Sequence, residues 1–124
     1  NSHYEMKISI IYGEQDMNVY NAAVEDFNKA TGIFNDFVAY RNNRFQPLKP
    51  DAELSTLLDP INAIISSAYQ RADVLDQNPR NFQYNPGMLR ESLARLERKV
   101  EEQKNFLAHY LAAGKPERDK LFYR

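Results

Sequence analysis

The two histidines, His3 and His109, are the first residues to ask for chemistry, because imidazole exchanges protons near neutral pH. His109 falls near the expected end of a helix, where a cation simply complements the backbone dipole. A di-iron bundle needs Glu-x-x-His pairs on two helices, and the position three before His109 is Phe106. No His-Glu-x-x-His, Gly-x-Ser-x-Gly, P-loop or Gly-x-Gly-x-x-Gly pattern occurs in a chain with only 4 glycines. Carboxylate pairs such as Asp73 and Asp76 are too common on helices to indicate acid–base catalysis by themselves. With no cysteine, disulfides, thiolate zinc sites, iron–sulfur clusters and a cysteine nucleophile are excluded. The expectation is a protein that is not an enzyme, with no catalytic residue, no metal site and no cofactor.

Charge offers a better lead. Residues 14–40 and 51–77 each hold five acids and one base, whereas residues 41–50 carry Arg41, Arg44 and Lys49 with no acid. Residues 112–124 add Lys115, Arg118, Lys120 and Arg124 against two acids. If the ends of the first and last long helices share a pole, these cations gather there with Phe45, Leu121, Phe122 and Tyr123 among them. A basic, aromatic-studded end suits an acidic protein, lipid headgroups or a phosphate-bearing ligand. Cations near two helix C-termini also have an ordinary role, which is to complement the dipoles. The candidate partner- or anion-binding set is Arg41, Arg44, Phe45, Lys49, Lys115, Arg118, Lys120, Phe122 and Arg124.

The elements that must position this set read as helices. Met17, Tyr20, Val24, Phe27, Thr31, Phe34 and Val38 follow alternating three- and four-residue steps, an a/d seam. A second stripe of Val19, Ala23, Ala30, Ile33, Phe37 and Tyr40 widens the apolar face enough for two neighbours. Pro47 and Pro50 punctuate the connection. A second helix begins near Asp51 with Leu54, Leu57, Leu58, Ile61, Ile64, Ile65, Ala68, Ala72 and Leu75 inward. Pro60 removes an amide within it, which predicts a kink or a restart capped by Asp59. Residues 78–87 are rich in turn formers. Asn85 and Pro86 open a third helix on Leu89, Leu93, Leu96, Val100, Gln103, Leu107 and Tyr110, which Gly114 and Pro116 stop. A further turn is expected in the basic tail.

The fold class that follows is all-α, an up-down-up antiparallel three-helix bundle of long helices. Residues 4–12 differ. Tyr4, Met6, Ile8, Ile10 and Tyr12 alternate with Glu5, Lys7 and Ser9 on the other side, ahead of Gly13, which predicts a short extended N-terminal arm. The domain reading is therefore an arm or linker at 1–13 and a helical bundle at 14–124. Within the first helix Asn21, Asn28, Asn35 and Asn42 recur every seven residues, a near-axial polar row at the edge of the core. On the third, Glu91 with Arg95 and Arg98 with Glu102 are i,i+4 pairs of a solvated face, and Gln103 is a polar group able to set register.

Size and composition bound the rest. The 124 residues suit one domain, and 43% hydrophobic with 27% charged residues are ordinary globular values. A net charge of −1 argues against nucleic acid as a partner. The absence of a membrane-spanning run leaves a tether upstream as the membrane connection to expect. Twelve asparagines and fifteen aromatics without tryptophan lean toward an extracytoplasmic setting, periplasm or cell envelope. The leading expectation is a non-enzymatic interaction module, the soluble portion of a membrane-anchored or secreted bacterial protein, with a protein partner or a second copy of itself. The alternative is a small-ligand domain that senses an anion through the basic pole.

Overall fold

A computed structural model describes residues 2–77 and 85–123, with side chains from residue 16 onward. Every regular element among them is a helix: α1 (Ser2–Asn42), α2 (Asp51–Leu54), α3 (Asp59–Asp76), α4 (Gly87–Ala112) and α5 (Lys115–Leu121). Residues 78–84 of the turn-rich connection lie outside the described residues, as does Arg124.

The extended arm is corrected. Residues 4–12 belong to α1, which runs through Gly13 without a break. A lone strand leaves its amides and carbonyls unpaired, whereas a helix satisfies them within the segment. The same residues also offer helical spacing, with Tyr4, Ile8, Ile11 and Tyr12 at steps of four, three and one. Gly13 costs only about 0.5–1 kcal/mol in a helix relative to alanine, too little to end it.

Pro60 divides the second apolar stretch rather than kinking it. α2 is a single turn, residues 55–58 form further turns, and α3 restarts with the proline in its first positions. Asp59 does not cap this restart: it is the first helical residue, behind Leu58, with its carboxylate in the first turn beside the positive end of the dipole. At α4 the expected start is shifted by one residue: Pro86 is the cap and Gly87 the first helical residue, and the Gly87 amide donates to Asn85 Oδ1 at 2.8 Å in a turn that leads into the helix.

The core shows a register that the a/d reading missed. On α1 the fully buried positions are Ala23, Ala30 and Phe37, from the flanking stripe. Phe27 and Phe34 are half-buried, and Met17 is exposed. Facing residues explain the shift. α1 packs most closely on α3, which buries Ile61, Ile65, Ala68 and Ala72. Small side chains on both helices let the axes approach, and Phe27 and Phe34 of α1 are left to the edges. On α4 the expected seam holds, with Leu89, Leu93, Leu96, Val100, Leu107 and Tyr110 all buried. Gln103 departs from its expected role, because its buried Oε1 finds no hydrogen-bond partner through which to set a register.

Polar contacts fix which parts of the helices meet. Asp26 of α1 accepts from Arg71 of α3 at 3.0 Å, whereas Ile33, Phe37 and Tyr40 border Leu57, just before α3. Arg90 in the first turn of α4 reaches Asp73 at 2.7 Å and also Asp76, both near the end of α3. Each of those three charges sits at the wrong end of its own helix dipole, and the pairing corrects all of them. These meetings are compatible with an up-down order of the long helices.

Tyr69 of α3 lies half-buried beside Glu97 of α4. Burial, reinforced by the Glu97 carboxylate at its hydroxyl, pushes the phenol from 10.0 up to about 12. A raised phenol favours the neutral, folded form, so its contribution is complete below pH 10.0 and is lost as pH climbs toward about 12. In phenolate absorbance of the native protein, Tyr69 is expected among the last tyrosines to ionise, and Tyr69→Phe should lessen the alkaline loss of stability. Ionisation of Tyr69 alongside the exposed tyrosines would contradict this account.

Candidate functional site

The basic pole is organised by a turn that no glycine announces. The Arg44 amide donates to the Arg41 carbonyl at 2.8 Å, and the Phe45 amide to the Tyr40 carbonyl at 2.9 Å. This nested pair is the Schellman arrangement, in which the residue after the helix cap adopts left-handed backbone. Arg44 has φ of 57° and Phe45 of 54°, a conformation costing an L-residue roughly 1–2 kcal/mol. Asn43 Nδ2 donates to the Gln46 carbonyl at 3.0 Å and the Tyr40 hydroxyl to that of Pro47.

The Phe45 side chain holds the turn in place. It is fully buried, with ring centroids 4.8 Å from Tyr110, 5.3 Å from Tyr40, 5.7 Å from Phe122, 5.9 Å from Phe37 and 6.5 Å from Phe106. Aromatic pairs at such distances contribute about 0.5–1.5 kcal/mol each beyond the area they bury. Five of them outweigh two left-handed residues. The tyrosine at the third position from the helix end and the phenylalanine after it also make the apolar contact that accompanies this cap.

The candidate cations then divide into two groups. Arg41 lies 3.8 Å over the Phe106 ring. Arg118 is more committed still. Its Nη2 and Nη1 donate to the two Asp51 oxygens at 2.8 and 3.2 Å, its Nε to the Ala113 carbonyl at 3.0 Å, and Nη2 also to that of Leu111 at 3.2 Å. Its guanidinium stands 4.7 Å over Tyr110. One side chain thereby closes the last carbonyls of α4 and ties them to the start of α2. The hydrogen bonds from Arg118 hold the Asp51 carboxyl below its usual range, and the Asp51 carboxylate in turn raises the guanidinium.

Arg44, Lys49, Lys115 and Lys120 are exposed. Arg44 lies 4.5 Å over Tyr123, and the Lys49 ammonium is 5.8 Å from the Tyr40 ring. Of the expected binding set, Phe45 is corrected: with no exposed surface it is a plug of the core, not a contact for a partner. Phe122 is half-buried against Phe45, Phe106 and Tyr110. Sequence reasoning missed Leu48, which is 62% exposed, while Tyr123 is 69% exposed. Its signal was its place between Pro47 and Lys49, outside every heptad stripe. The asparagine row Asn21, Asn28, Asn35 and Asn42 of α1 is exposed, along the outer edge of the aromatics at 20, 27 and 34.

Among the described residues no group of three or more histidine, cysteine or acidic side chains is placed to hold a metal ion, and no helix is long and apolar enough to cross a membrane. Compared with known proteins, the chain matches no protein family, no curated protein and no solved structure. What the fold defines is an all-helical domain with an aromatic plug at one pole.

Two substitutions separate the plug from the surface. Phe45→Ala is expected to cost about 3–5 kcal/mol in chemical denaturation, as for a large aromatic lost from a core. Arg44→Gly relieves a left-handed residue and should leave stability unchanged or raise it by up to about 1 kcal/mol.

Proposed function

We propose that this chain is a non-enzymatic interaction module, an up-down-up three-helix bundle that presents one pole to a macromolecular partner. The observation that carries the reading is that Leu48 and Tyr123 stay exposed near cations that form no ion pair among the described residues: Lys49 follows Leu48, and Arg44 lies over the Tyr123 ring. Apolar side chains flanked by cations make a contact whose centre loses water while its rim selects for acidic groups. The partner surface is therefore acidic around an apolar spot, whether on another protein or on a second copy of the chain. The anion-sensing alternative at this same pole is weakened by the commitments of Arg41 and Arg118, which serve the fold. The composition leans toward an extracytoplasmic setting, while the extended arm that motivated an upstream tether is helix in this structure.

The test is photo-cross-linking from three positions in an extract of the native cells. Reactive side chains at Leu48 and Tyr123 should capture a common partner, and one at Val74, which is also exposed but lies in the last turn of α3, should not. Capture should fall sharply when Arg44→Gly and Lys49→Ser are combined, with a melting temperature no lower than that of the native protein. Equal labelling from Val74, capture that survives the double substitution, or no capture at all would count against the proposal.

A further inference from the structure

Away from the pole, α1 and α4 make the least extensive of the three contacts between long helices. Between them opens a pocket of about 160 Å³, floored by Phe27, Phe34 and Leu96. Thr31 lines it, and the buried Thr31 Oγ1 has no hydrogen-bond partner. A buried hydroxyl left unpaired is costly, and native folds usually supply it with a partner. Arg95 and Lys99 stand at the same pocket, four residues apart on α4, both exposed. Adjacent like charges on a helix repel.

These two cations are also uncommitted. Arg71, Arg90 and Arg118 each bond a carboxylate, but among the described residues neither Arg95 nor Lys99 forms an ion pair, and the Glu91–Arg95 pairing suggested by spacing is not made. The pocket thus offers an apolar floor and two cations awaiting negative charge, with the Thr31 hydroxyl shut away behind it. We infer that it binds a small monocarboxylate with an apolar body. The body would cover the phenylalanines, and the carboxylate would accept from Arg95 and Lys99. Inorganic phosphate has nothing to place on that floor, and a neutral molecule of the same shape gives the cations no partner. At about 160 Å³ the pocket lies below the ~300–1,000 Å³ of drug-sized sites, which restricts the ligand to roughly the size of benzoate or hexanoate. This site is separate from the pole, and neither reading depends on the other.

The test is amide NMR and thermal melting of the full chain with sodium benzoate and sodium hexanoate, alongside benzyl alcohol and inorganic phosphate. The carboxylates should bind saturably with Kd below about 1–3 mM, the range open to ligands of about nine non-hydrogen atoms. The perturbed amides should lie on the facing turns of α1 around Thr31 and of α4 around Arg95. Benzyl alcohol should bind at least about tenfold more weakly, because it lacks the charge-assisted bonds. Arg95→Gln should weaken benzoate by about tenfold without moving the melting temperature of the free protein. The inference is overturned if neither carboxylate saturates, if benzyl alcohol or phosphate shifts the same amides equally well, or if benzoate binds Arg95→Gln as tightly as the native protein.

Discussion

Burial of one phenylalanine from a turn is the constraint around which this pole is built. For the Phe45 ring to enter between α1 and α4, the chain must reverse within two residues of the end of α1, and only left-handed backbone does so. The strain is local and fixed, while the aromatic contacts that repay it come from α1, α4 and the segment after α5. The turn is therefore stable only in the assembled fold. Where the remaining cations stand follows from it, because Arg44 is turned outward by the same backbone that turns Phe45 inward.

Much of the helical pattern was legible. The buried positions of α4 repeat with steps of three, four and seven, and most expected inward residues of α3 are buried. That clarity has a cause. Leucine and isoleucine are unambiguous, and a helix facing its neighbours with one stripe has only one way to hide them. α1 was harder, because aromatic and alanine stripes run side by side. Which becomes the centre depends on the partner, and Ala68 and Ala72 of α3 selected the small one. The segment at 4–12 fits a period of two and a period of near four equally well, so pattern alone does not choose between strand and helix. Availability of a pairing strand does.

The site was legible in its charges and not in its exposure. Clustering Arg41, Arg44, Lys49 and Arg118 needs no more than helix order, but their roles depend on atoms that sequence does not place. Arg118 serves carbonyls of its own chain because α5 turns it back toward α4. Arg41 lies on a ring that comes from a helix more than sixty residues later. Phe45, one position after an exposed cation, is the most enclosed residue of the pole. Adjacent residues of a left-handed turn point to opposite sides, and no periodicity encodes that.

The bond between Arg118 and Asp51 spans 67 residues of sequence. Contacts so distant along the chain are expected late in folding, since most of the chain's freedom must be surrendered before they are rewarded. The helices can form and begin to pair through nearer contacts, but the turn after α1 gains its reason to bend only when the chain's last twenty residues arrive. The order of synthesis adds to this. Residues 43–51 leave the ribosome well before α5, so in the growing chain the plug waits for its socket.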